Sequence, residues 1–313
     1  MPVPHISAMT LQELQELRRE KWHLAGQPVR TGESARAFLE SVGFCTLYPP
    51  QKAMLLPTFI GAYSGSDENL PTSFKAFADP RSQEATDLMV RLLREHSAYE
   101  ASLPGEEENN FLISASAFPY FYGLVGDRTP RTMPKPGTRS EYSPLARDVF
   151  TALQKHRAMS KPQLAERLGG SLSDSALDRA LHDLWSRLRI TRVDYRSDEG
   201  TFWDVLFRWS PDAVRQGIEV SVPAALSALV SKYVEAVIAA DPADVEQFFS
   251  QFVARAKVRD AINALLTTRE FTMAHIGNRT MLTVTERQRA AEELARVRSQ
   301  PIARRPRLGV RSK

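Results

Sequence analysis

Ser173, Ser175, Arg179, His182 and Arg187 lie off the apolar side of a helical pattern marked by Leu177, Leu181, Leu184 and Leu188. Lys161 and Gln163 open the helical stretch before it, and Arg192 and Arg196 follow in a strand-like run. A second set, Lys257, Arg259 and Asn263 with Arg279 behind it, repeats the arrangement further along. Guanidinium, ammonium and carboxamide groups on a helix face, backed by basic residues on a hairpin, suit phosphate contacts and the edges of bases.

Other chemistry is thinly provided for. The six histidines, at 5, 23, 96, 156, 182 and 275, show no metal-ligand spacing, so neither a metal nor a cofactor is expected. The single cysteine, Cys45, sits in the apolar phrase "VGFCTLY" and is read as an inert buried thiol. Glu106, Glu107 and Glu108 fall in an acidic loop and are read as solvated. "FPYFY", residues 118 to 122, carries four rings and is read as core between domains.

These side chains need elements to hold them, and the pattern of elements repeats. In the first copy Pro144 opens a helix with Leu145, Val149, Phe150 and Leu153 inward. "SKPQLAERLGG" is a short second helix with Ser160 as N-cap, and a third starts at Ser173 or Asp174. A hairpin follows through "SDEG", with Trp203, Val205, Phe207 and Trp209 alternating against Phe202, Asp204, Leu206 and Arg208. In the second copy Leu226, Leu229, Val230, Tyr233, Val234, Val237 and Ile238 form the inward stripe. "DPADVEQFF" and 252 to 266 supply two more helices, and a hairpin turns at Gly277-Asn278. Thr283 and Glu286 are expected to cap a last, Arg-rich helix. Three helices and a two-stranded hairpin make a winged helix, whose third helix enters the major groove while the wing lies along the backbone.

Upstream, Thr10 and Glu13 have capping-box spacing, with Leu11, Leu14, Leu17 and Trp22 along one helical side. A second helix runs over about 33 to 42 and stops at Gly43; "FCTLY" then reads as a short strand. Helical pattern returns over 84 to 100, and "FLISA" reads as a strand. The fold class is mainly α with small β-hairpins (α+β), built from tandem winged-helix units. The expected division is an N-terminal domain over 1–125, a linker over 126–143, winged helices over 144–215 and 216–300, and a basic tail over 301–313.

The chain of 313 residues carries a net charge of +4. From Glu286 onward nine Lys or Arg face three Asp or Glu, which leaves −2 for the preceding 285 residues. The basic balance is therefore a property of the tail, which attracts polyanions without choosing among sequences. No apolar run approaches the roughly 18 to 20 residues that cross a bilayer, so a cytoplasmic, nucleoid-associated monomer with no membrane partner is expected.

The helix pair running into "VGFCTLYPP", the phrase "FPYFYGLVGDR" and the winged-helix patterns ending in "IGNRTMLTV" resemble the AlkZ-like family of tandem winged-helix proteins. The resemblance covers residues 10 to 285. The family includes bacterial DNA glycosylases that unhook crosslinks and remove alkylated bases, so it implies duplex DNA, damaged or not, as partner and a further winged helix in the N-terminal region. In its active members the strand after the second helix carries Gln-x-Gln or Gln-x-Asp to hold the attacking water. Here Thr46, Leu47 and Tyr48 occupy that place, leaving Thr46 and Tyr48 as the only catalytic candidates there. The resemblance thus implies a DNA-binding, repair-related protein without the family's catalytic motif. A glycosylase using other residues and a winged-helix regulator or adaptor are the alternatives.

Overall fold

One order of elements, helix, short strand, helix, helix, strand, strand, occurs three times. The computed structural model describes residues 9–50, 54–72, 79–102, 110–133, 142–170, 172–196 and 198–285. After α1 (Leu11–Lys21) the first unit comprises α2 (Gly32–Val42), β1 (Phe44–Thr46), α3 (Phe59–Ser64), α4 (Pro80–Arg94), β2 (Ala98–Ser102) and β3 (Asn110–Ser114). Helix α5 (Phe118–Val125) leads towards the second: α6 (Pro144–His156), β4 (Met159–Ser160), α7 (Lys161–Arg167), α8 (Asp174–Trp185), β5 (Ile190–Arg196) and β6 (Gly200–Val205). Helices α9 (Leu206–Trp209) and α10 (Pro211–Glu219) precede the third: α11 (Val222–Val237), β7 (Ala239–Ala240), α12 (Pro242–Phe249), α13 (Arg255–Thr267), β8 (Phe271–Ile276) and β9 (Arg279–Val284).

Each unit closes as an antiparallel three-stranded sheet with its last strand in the middle: β1-β3-β2, β4-β6-β5 and β7-β9-β8. This is the winged-helix arrangement three times over, the N-terminal copy included. Local signals explain much of it. Thr10 and Glu13 form a reciprocal capping box on α1; Ser173 accepts from the Ala176 N–H to start α8, and Asp241 does the same for α12 from Ala243. Gly43 follows α2 at φ 75°, a conformation that glycine adopts without a Cβ penalty.

Several expectations change. Helix α4 stops at Arg94, His96 turns the chain at φ 53°, and Tyr99 lies in β2, so the run over 84 to 100 is a helix followed by a strand. Strand β6 ends at Val205; Phe207 and Trp209 belong to a single turn, α9, held where Arg208 donates to the Leu153 and Gln154 carbonyls. Leu188 is buried in a turn beyond α8 at φ 53° rather than on the helix. Leu11 is exposed, whereas Leu14 is buried. Thr283 sits inside β9, opposite Ala239. The expected last helix from Glu286, the basic tail and Glu106, Glu107 and Glu108 lie outside the described residues.

The largest core lies between units. One face of the first sheet, with Phe44, Phe111 and Ile113, packs on Phe118, Phe121 and Tyr122 of α5 and on Tyr233, Phe248 and Phe249 of the third unit. The rings of "FPYFY" are thus inter-unit core, except Tyr120, which is exposed. The opposite face, with Cys45 and Leu112, packs on α2 and α4. Helix α1 docks on the third unit: Arg18 donates from Nε to the Val237 carbonyl at 2.8 Å and Trp22 from Nε1 to the Ala236 carbonyl at 2.8 Å.

Candidate nucleic-acid interface

In α8 the buried Leu177, Leu181 and Leu184 leave Ser175, Arg179 and His182 facing outward. The start of α7 sets Lys161 beside them, and the wing brings Arg192 from the other side. Lys161, Arg179, His182 and Arg192 border an open cleft of about 660 Å³ whose lining also includes Trp185, Trp203 and the carboxylates of Asp178, Asp183 and Glu199; Ser175 is not part of it. Lys161 Nζ lies 2.8 Å from Asp178 and 3.9 Å from Asp174. Arg179 makes no ion pair or hydrogen bond among the described residues, so its charge is free for a ligand.

Arg192 is placed differently from a phosphate-binding side chain. Its guanidinium lies 4.5 Å from the Trp185 ring centroid and 5.0 Å from that of Trp203, and Nη1 donates to Glu100 Oε1 at 3.1 Å. Glu100, on β2 of the first unit, is fully buried, and Trp185 Nε1 donates to its backbone carbonyl at 3.1 Å. Burial pushes the Glu100 carboxyl above the usual range, outweighing the opposing pull of Arg192. Glu100, Trp185 and Trp203 were not singled out as site residues. Glu100 was missed because its partner is 92 positions away in sequence.

The other candidates scatter. Gln163 accepts from the Ser160 backbone N–H and donates to Glu199, which makes it a capping residue of α7. Arg196 pairs with Glu199 at 3.0 Å and covers the Phe202 ring, while Arg187 lies over Tyr142. Lys257, Arg259, Asn263 and Arg279 form a separate set on the third unit. There Arg259 and Arg255 share Glu246, whereas Lys257 is exposed with no ion pair among the described residues.

Thr46 and Tyr48 have no exposed surface. Thr46 is paired with Phe111 on the sheet face packed against the third unit, and its hydroxyl finds no hydrogen-bond partner among the described residues. Tyr48 packs in the opposite core, where burial raises its phenol pKa beyond the reach of a base at neutral pH. Among the described residues neither lines one of the larger clefts. Burial likewise pushes the Cys45 thiol up, far from thiolate chemistry. Among the described residues no group of three or more His, Cys, Asp or Glu gathers to hold a metal ion, and no single helix is long and apolar enough to cross a membrane.

The chain is similar in fold to the Streptomyces sahachiroi DNA glycosylase AlkZ, with a TM-score of 0.54 over 91% of this chain and 72% of that one, at 15% sequence identity. No curated protein sequence matches it. The model of the DNA glycosylase AlkZ-like family matches residues 87–305. That match takes in the second and third winged helices and the wing of the first, well over half of the 313 residues. The chain belongs to the DNA glycosylase AlkZ-like family.

Proposed function

We propose that this protein binds duplex DNA through the outward faces of its second and third winged helices, in the service of DNA repair, without a catalytic step at positions 46 and 48. The observation that carries the reading is the opening of the second unit, to which α7 and α8 bring Lys161, Arg179 and His182. A cation that is exposed and unpaired, as Arg179 and Lys257 are among the described residues, can approach a phosphate without first abandoning a carboxylate. Lys161, Arg196 and Arg259 contribute less, each being already neutralised within the protein.

The test is fluorescence anisotropy of a labelled duplex across a salt series. Affinity falls steeply with salt, and Arg179→Ala and Lys257→Ala each lower the log–log slope by about one, the effect of one lost phosphate contact. Unchanged affinity in the double variant removes both faces from the interface. Incubation with alkylated or crosslinked duplexes yields no abasic sites above a no-protein control; their appearance, abolished by Thr46→Ala, would return catalysis to the motif position.

A further inference from the structure

We propose that the cleft of the second unit receives a single unstacked nucleobase, laid face to face on the guanidinium of Arg192. The inference rests on the duplex-binding reading and goes beyond it by naming what enters the cleft.

Arg192 is built as a platform. A guanidinium is planar, and bases stack on such planes as they do on aromatic rings. Both indoles of Trp185 and Trp203 back it, at 4.5 and 5.0 Å, and the fully buried Glu100 carboxylate pins its edge at 3.1 Å. Its side chain keeps 24% exposure and is among those that line the cleft. A cation meant for phosphates does not need three buried partners to hold its plane; one meant to stack does.

The surroundings fit the same occupant. At about 660 Å³ the opening lies within the roughly 300–1,000 Å³ of small-ligand pockets. Its rim carries the unpaired Arg179 for a phosphate flanking a base, Lys161 being held by Asp178 and Asp174, and its wall offers Thr201 to the base edge beside the carboxylates of Asp183 and Glu199. A stacking floor beside an unpaired cation is how single-stranded nucleotides are commonly held.

The experiment compares binding of a matched duplex with one carrying a single unpaired base, since extruding a base costs least where it has no partner. The bulged duplex binds tighter by on the order of tenfold, the scale of one base-stacking contact. Arg192→Lys keeps a cation opposite Glu100 but loses the plane, and the preference disappears while salt-dependent binding to matched duplex remains. Thr201→Phe, at a half-exposed wing position on the cleft, fills the space and abolishes the preference by a second route should Arg192→Lys fail to fold. Equal binding of the two duplexes by the wild type overturns the inference and leaves duplex binding standing, and so does a preference that survives both substitutions. Absence of any salt-dependent duplex binding overturns the underlying reading and this inference with it.

Discussion

The carboxylate of Glu100, on the first wing, lies 3.1 Å from the guanidinium of Arg192, on the second. The pair fastens two winged helices to each other through their hairpins, and the cost falls on Glu100. It is fully buried, and neither Arg192 nor the neighbouring amide of Asn110 offsets the loss of water.

That cost makes a pH signature. Burial holds the Glu100 pKa above its ordinary 4.5 in the folded protein, so the native state binds this proton more tightly than the unfolded chain. Stability relative to Glu100→Gln is therefore greatest below 4.5 and declines as pH rises towards the folded value. Urea midpoints of both proteins between pH 4 and 8 read the difference. A gap that stays constant across this range would show that the carboxyl is not raised.

Helices α5 and α10 cross at Gly217. A Cβ there would sit 2.7 Å from Tyr122 Cβ and 2.9 Å from the Pro119 carbonyl oxygen, and a backbone atom cannot step aside. Gly217→Ala is expected to destabilise by about 1–3 kcal/mol through overpacking, against the roughly 1 kcal/mol that alanine gains over glycine in a helix. Gly32→Ala is the control, since its nearest neighbour is the flexible Arg91 at 3.6 Å. If both variants melt together, the crossing is looser than described.

Much of this fold was legible because its signals are local. The stripe Leu177, Leu181, Leu184, the cap Ser173 and the turn Gly277-Asn278 each act within a few residues. Alternation misled at Phe207 and Trp209, since a strand spacing kept past Val205 also suits a turn of helix once Arg208 finds the end of α6. The site was legible on α8, where an apolar stripe defines the opposite face, and illegible at Arg192. Its meaning depends on Glu100 in another unit and on two indoles that periodicity assigns simply to packing. The docking of α1 on the third unit, by Trp22 on Ala236 across 214 positions, has no local signal at all.

Writing the family's motif into this chain should not restore it. Thr46 and Tyr48 are sealed on opposite sides of the first sheet, so Thr46→Gln with Tyr48→Asp would bury a carboxamide and a carboxylate away from water. Each unsatisfied group costs about 1–3 kcal/mol, and no abasic sites are expected from alkylated duplex. Thermal melting and base release on the same preparation check both halves. Base release by a stably folded double variant would show that the strand opens to DNA after all.

Arg189 is the largest fully buried side chain, and its charge depends on Asp127 in the segment after α5. Its Nε also donates to the Tyr142 hydroxyl at 3.0 Å and Nη1 to the Thr132 carbonyl at 3.0 Å, so one guanidinium ties the approach of α6 to the turn after α8. Asp127→Ala strands that cation in a dry site and should cost on the order of 3–5 kcal/mol. Asp212→Ala, which breaks the exposed pair with Arg215, should cost under about 1 kcal/mol. Partial burial pushes the Asp127 carboxyl up, but the Thr129 N–H and Arg189 outweigh it and hold the pKa below 3.8. Its contribution is therefore complete above 3.8 and lost as pH falls through the lower folded value, the reverse of Glu100. Urea denaturation at pH 7 and pH 3 should show the wild type losing its lead over Asp127→Ala in acid. An Asp127→Ala variant no weaker at pH 7 than Asp212→Ala would mean that Arg189 finds its counter-charge elsewhere.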